Sequence, residues 1–280
     1  VETTPPSREQ QRPPHPPLER PTSLLGPAVG MGVTLGPSLV LDLASASATA
    51  AVLLGARPRN RALRAALVVA SLAPWGWRLA RPWLLNWGAG SEEITRALPG
   101  DGLVPNPVAV NTRAITIDAR PEDVWPWLVQ IGYRRAGWYS YDVLERAAGA
   151  GEFVEGHSAD HIHPRLQALA VGDIIPMSRW TGMQVAELVP ARALVLRSVM
   201  DDETPTWGVT TWAFVLEPLG EGRTRLLVRG RTGGDPRRWG ERVFGQLIEF
   251  PHFVMERKML LGVKARAERM ERFGETTATA

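Results

Sequence analysis

Three of the chain's five histidines, His157, His161 and His163, fall within the ten residues EGHSADHIHP, Glu155 to Pro164. Glu155 and Asp160 stand among them. Imidazole and carboxylate ligate divalent metals and also move protons, so the stretch could be a metal centre, an acid–base centre or a polar loop. Spacing argues against metal. Zinc takes about four donors, and residues two apart, as His161 and His163 are, point to opposite faces of a strand. His157 and His161 would share a helix face only if Gly156 and Ser158 sat inside a helix. The chain has no cysteine and no carboxylate at a motif spacing, so no metal site is expected. The stretch reads as a loop at the edge of a ligand site, where Asp160 and His161 supply hydrogen bonds or a weak acid–base pair.

A second candidate group lies near the C-terminus, where His252 and Glu256 are spaced i, i+4 and Glu249 stands three residues before His252. On a helix that borders a cavity, this spacing puts one of them against a ligand. The competing reading is a solvated face with Glu256 paired to Arg257 and its neighbours. Phe250, Phe253 and Val254 give His252 apolar company. The aromatics Trp125, Trp127, Trp138, Tyr139, Tyr141, Trp180, Trp212 and Phe214 are mostly expected in the core. Tyr139, Tyr141, Trp212 and Phe214 are the expected ligand-contacting minority. The chain has no phosphate-binding glycine loop, no G-x-S-x-G elbow and no H-E-x-x-H. A cyclase, which needs little beyond a shaped pocket and one acid or base, is untouched by these absences.

Charge is unevenly distributed over the 280 residues. Residues 1–90 hold nine arginines against four carboxylates, which leaves residues 91–280 slightly acidic. The acidic part carries no electrostatic footprint for nucleic acid. The basic part suits a membrane surface or a membrane-flanking loop. Residues 1–27, with PPSREQQRPPHPPLERP, have the composition of a disordered proline-rich tail without the order of a signal peptide. Residues 28–87 read as an apolar helical region. The runs 28–55 and Ala65–Trp77 flank the Arg-rich link RPRNR, and Trp75, Trp77, Trp83 and Trp87 cluster at the exit. Two readings stay open: a membrane hairpin, or Ala-rich helices packed on the domain or a partner. The first predicts membrane association, the second a cytoplasmic protein.

From residue 88 the texture is that of one α+β domain ending near 272, followed by a tail, 273–280. NTRAITIDA alternates like a strand. RPEDVWPWLVQIG starts a helix with Pro121 and two acids and ends at Gly132. WYSYDVLERAAG gives a second, short helix. Five strand-like runs follow: VGDIIPMSRW, MQVAELVP, ALVLRSVM, WGVTTWAFVLEP and RTRLLVRGRT. In the fourth, Trp212, Phe214 and Leu216 share one face, and Thr211, Ala213 and Val215 are expected to face solvent. A long helix closes the chain from Pro236 to about Phe273, with a kink or break at Pro251.

This order, with the local wording RAITIDARPEDVWPWLVQIG, GWYSYDVLE, ADHIHPRLQALAVGDII, WAFVLEPLGEGRTRLLVR and PHFVMERKMLLGVKARAE, resembles the SRPBCC superfamily. That superfamily includes START lipid-transfer domains, Bet v 1-type plant allergens and polyketide cyclase/dehydrase-like proteins. The resemblance implies a helix-grip fold, a curved antiparallel sheet wrapped on a long C-terminal helix, with an apolar cavity between them. It implies binding or carriage of a hydrophobic small molecule, lipid- or polyketide-like, with no cofactor. The alternative it implies is a polyketide cyclase/dehydrase-type enzyme using a pocket His, Asp or Tyr as acid–base.

Overall fold

The computed structural model describes residues 61–199, 209–234 and 239–278, with residues 47, 49 and 50 besides. The tail 1–27 and nearly all of the first apolar run, 28–55, lie outside the described residues. The described chain is α+β. Helix α1 (Arg61–Leu85) leads into short α2 (Ser91–Thr95), then β1 (Ala109–Ile117), α3 (Pro121–Val129) and α4 (Asp142–Ala147). Strands β2 (Ile174–Pro176), β3 (Gly182–Val189), β4 (Ala193–Ser198), β5 (Thr210–Gly220) and β6 (Arg223–Thr232) follow, and α5 (Trp239–Ala278) closes the order.

The strands form one curved antiparallel sheet in the order β1-β6-β5-β4-β3-β2. Each strand from β2 to β6 pairs with its sequence neighbour, and β1 joins the free edge of β6. Register shifts at Val185/Glu187 and Pro218/Gly220 are the irregularities that bend such a sheet. α3 and α5 pack side by side on the inner face. There Ile117, Leu128, Leu196, Phe214, Leu226, Leu260 and Val263 form the main core, each almost wholly out of water. Gly262 on α5 lets the loop before α4 lie directly on the helix, since a Cβ there would collide with the Tyr139 carbonyl.

The final helix is continuous through Pro251, so the expected break is absent, and it extends to Ala278. The outer face of β5 also departs from expectation. Thr211, Ala213 and Val215 are buried, because residues 87–104 cross that face and seal a second small core of Leu98, Ala114, Val215 and Leu227. Arg229 fixes this cover. Its guanidinium donates to the carbonyls of Glu93, Ile94 and Arg96 at the end of α2, to Asp101 at 2.8 Å and to Thr112. It thereby satisfies the carbonyls a helix end leaves open.

Among the described residues, no helix is long and apolar enough to cross a membrane. In α1, Arg61 and Arg64 on one side and Arg78 and Arg81 on the other leave only Ala65–Trp77 uncharged, short of the ~20 residues a span requires. The transmembrane reading is therefore unsupported for this run. Instead the end of α1 docks on the domain: Arg81 forms a two-pronged bond to Glu249 of α5 at 2.9 and 3.0 Å, and Trp83 meets Phe253 edge-on. Leu84 and Leu85 are buried. A fragment spanning 88–272 loses these contacts and should be at least about 2 kcal/mol less stable than one spanning 81–272, the worth of one or two buried leucines. Paired urea melts check this; equal midpoints would show that the docking adds nothing.

Candidate functional site

Between the inner sheet face and α5 lies a cavity of about 80 Å³. The sheet contributes Asn111, Met183, Thr210, Trp212 and Gly230, and α5 contributes His252, Met255, Glu256 and Met259. Trp138, Ser140, Glu145 and Ala148 close it from the loop and helix beside α5. The walls are chiefly apolar, and four of the lining residues, Met177, Met183, Met255 and Met259, are methionines. Their flexible thioether chains can repack around ligands of different outline. At Gly230 the bare backbone makes room for Asn111, whose Oδ1 accepts the Gly230 N–H at 2.7 Å, and a Cβ would strike that oxygen.

The polar end of the cavity is built on a buried ion pair. Arg113, on the inner face of β1, is fully buried and pairs its Nη1 with Oε2 of Glu256. Its Nε donates to the Leu84 carbonyl at 2.9 Å, and its guanidinium lies over the Phe253 ring. The second Glu256 oxygen accepts the Trp212 indole N–H at 2.8 Å. Burial pushes the Glu256 carboxyl up, but Arg113, His252 and the two hydrogen bonds outweigh it and hold the group below its ordinary value. Burial keeps His252 below its ordinary value, so the ring is neutral at pH 7. Its enclosed Nδ1 finds no hydrogen-bond partner among the described residues. Glu145 has the opposite character to Glu256. Burial, with too little compensation from Ser140, raises it to about 8, so it carries a proton at neutral pH. The cavity thus holds an ionised carboxylate, a protonated one and a neutral imidazole.

Of the residues expected to meet a ligand, Trp212 and His252 line this cavity and the others do not. Phe214 stands behind Trp212 in the main core, ring centroids 4.6 Å apart. Tyr139 is also core: its hydroxyl donates to the Trp127 carbonyl and accepts from Gln130, and Arg266 covers its ring. Tyr141 is exposed at the start of α4, under Lys258. Asp160 and His161 lie on an exposed loop, joined at 3.2 Å. Glu256 pairs with Arg113 and not with Arg257, which rests over Trp87. Sequence reasoning passed over Arg113, Glu145 and the methionines. For Arg113 the signal was available: a charge on the same strand face as Ile115 and Ile117 demands a buried partner.

Removing one member of a buried pair strands the other. Glu256→Ala should cost about 3–5 kcal/mol, and Glu256→Gln nearly as much, because Arg113 loses its counter-charge in both. Urea denaturation at pH 7 measures it, and a loss below about 1 kcal/mol would mean the pair is solvated. Glu145 generates a second expectation. Its folded-state value, about 8, exceeds the ordinary 4.5, so folding takes up a proton. Its contribution is intact below pH 4.5 and is lost as pH rises towards 8. Glu145→Gln should therefore stabilise the protein by roughly 2–4 kcal/mol at pH 8 and hardly at all at pH 4. Melts across that range test the sign.

No protein-family model matches the chain, and no curated protein matches it in sequence. Solved structures offer distant likenesses. A protein from Mesorhizobium loti is 16% identical over 57% of this chain and 98% of its own, with a TM-score of 0.32. The Aha1 dimer from Colwellia psychrerythraea is 17% identical over 57% of this chain and 96% of its own, TM-score 0.32. CalU16 from Micromonospora echinospora is 15% identical over 57% of this chain and 84% of its own, TM-score 0.28. Likeness at this level leaves the functional reading to the cavity itself.

Proposed function

We propose that the chain is a helix-grip protein of the SRPBCC type that binds a compact, largely apolar small molecule between its sheet and α5. The observation that carries the reading is the methionine-walled cavity ending in the Glu256–Trp212–His252 group. An apolar chamber with a few fixed polar atoms at one end is the usual build of a ligand site. Its size sets the ligand class. At about 10–15 Å³ of such space per water-sized group, 80 Å³ suits a small ring compound. A long acyl chain would require the methionines to move aside. His252 Nδ1 is available to hydrogen-bond a hydroxyl or carbonyl on the ligand.

A second reading, acid–base catalysis on a polyketide-like substrate, is favoured by one specific feature. Environments that push titratable groups apart supply both a proton donor and an acceptor. Here Glu145 is protonated and His252 neutral. In that reading Glu145 donates to a developing oxyanion and His252 accepts a proton from carbon or oxygen. Glu145→Gln would then abolish turnover and leave binding intact.

Native mass spectrometry of the freshly purified chain should reveal a bound small molecule. Trp212→Ala should weaken its binding by roughly 1–3 kcal/mol, the worth of one large buried side chain. Ala148→Phe, which fills the cavity without stranding a polar group, should abolish it. If nothing co-purifies and a compact probe such as indole fails to bind the wild type, the ligand reading is wrong.

A further inference from the structure

The histidine loop does not line the cavity, yet it brings together groups that its spacing should separate. The rings of His161 and His163 lie 4.4 Å apart, because the chain bends at Asp160 and His161 and does not run on as a strand. Both Nε2 atoms converge on one oxygen: Glu155 Oε1 is 3.3 Å from that of His161 and 3.7 Å from that of His163. One donor atom from each of the three residues falls within 4.8 Å of the other two. A tetrahedral ion bound at about 2.0–2.1 Å keeps its donors about 3.3–3.4 Å apart. The Glu155–His161 separation already meets that geometry, and the Glu155–His163 separation needs only a small contraction.

Two further features point to a ligand. His163 Nε2 is enclosed and has no hydrogen-bond partner among the described residues, a costly state for a ring nitrogen. Asp160 Oδ1 lies 3.2 Å from His161 Nδ1, which leaves Nε2, the ring nitrogen that faces Glu155, as the one placed to ligate. A carboxylate behind a metal-binding histidine plays this part in many metal sites. The loop is also held from outside. Gln130, fully buried at the end of α3, donates to the His161 carbonyl and accepts the His163 N–H at 3.0 and 2.9 Å. Arg266 of α5 holds the Ala159 carbonyl, and Asp142 of α4 takes both the N–H and the hydroxyl of Ser158.

We propose that Glu155, His161 and His163 bind a divalent first-row transition ion of the zinc class, oriented by Asp160, with the remaining coordination open to water. Two imidazoles and a carboxylate suit that class better than calcium or magnesium, which take oxygen ligands. The ion would clip Glu155 to the far end of its own loop. Through Ser158 and Asp142 that loop carries α4, whose Glu145 borders the cavity. Metal occupancy would thus steady one cavity wall.

The untagged full chain, stripped of metal, should be titrated with Co²⁺ and followed by visible absorption, then with Zn²⁺ by calorimetry and thermal melting. One ion per chain, intense tetrahedral Co²⁺ bands displaced by Zn²⁺, and a Zn²⁺-dependent rise in Tm are expected. His161→Ala and Glu155→Ala, both at exposed side chains, should remove the Co²⁺ bands while the metal-free melt stays unchanged. Asp160→Asn should weaken Zn²⁺ binding about 10- to 100-fold. His157→Ala, on the same loop but outside the triad, should bind as the wild type does. Failure of the wild type to bind Co²⁺ or Zn²⁺, or binding that survives both alanine variants, overturns the site. So does binding that depends on His157.

Discussion

Arg113 and Glu256 are both out of water, and the domain is arranged so that neither is alone. Charges at this depth forfeit several kcal/mol of hydration each, which their attraction offsets only when the remaining donors and acceptors are used. Glu256 uses both oxygens, on Arg113 and Trp212, and Arg113 adds the Leu84 carbonyl and the Phe253 ring, while its Nη2 finds no hydrogen-bond partner among the described residues. Four parts of the fold therefore meet at one point: the end of α1, β1, β5 and α5. The pair fixes how α5 sits against the sheet, and with it the shape of the cavity end. A shift of α5 along its axis would uncouple Glu256 from both partners.

The sheet is covered on both sides, and the two covers differ in kind. On the inner face burial is hydrophobic, with α3 and α5 laid over Leu196, Phe214 and Leu226. On the outer face the cover is a short, turn-rich segment with little apolar surface of its own, so it is tied down by hydrogen bonds to Arg229 and by the Arg225–Glu93 pair at 2.7 Å. Arg113 and Arg229 stand on neighbouring strands and opposite faces, since Thr112 faces Arg229 and Arg113 faces Val228. One strand pair thus anchors α5 on one side and the N-terminal cover on the other.

The cavity survives because that end of the inner face is deliberately under-filled. Gly230 brings no side chain, Asn111 turns onto its N–H, and methionines stand where branched residues would pack tightly. Further along the same face, leucine, isoleucine and phenylalanine form the buried core. Loose packing and enclosed polar atoms at one end, close packing at the other, separate the region that can receive a ligand from the region that holds the fold.

Local chemistry was enough to place the regular elements. Strand-like runs bounded by turn residues marked the strands, Pro121 with Glu122 and Asp123 marked the start of α3, and the order of elements marked an antiparallel sheet closed by a long helix. These features depend on residues a few positions apart, so they are written in the chain. The burial of Val215 was not, because the segment that covers it arrives from more than a hundred residues upstream. Nor was the fate of the aromatics: Phe214 and Trp212 share a strand face, and only the position of α5 decides which borders a cavity. The histidines show the same limit from the other side. Two residues apart on a strand, His161 and His163 would diverge; held in a bend by Gln130 from a distant helix, they converge. Spacing determined what each residue could do locally, and tertiary contacts decided which groups share a space, because those contacts fix backbone direction where no regular hydrogen-bond ladder does.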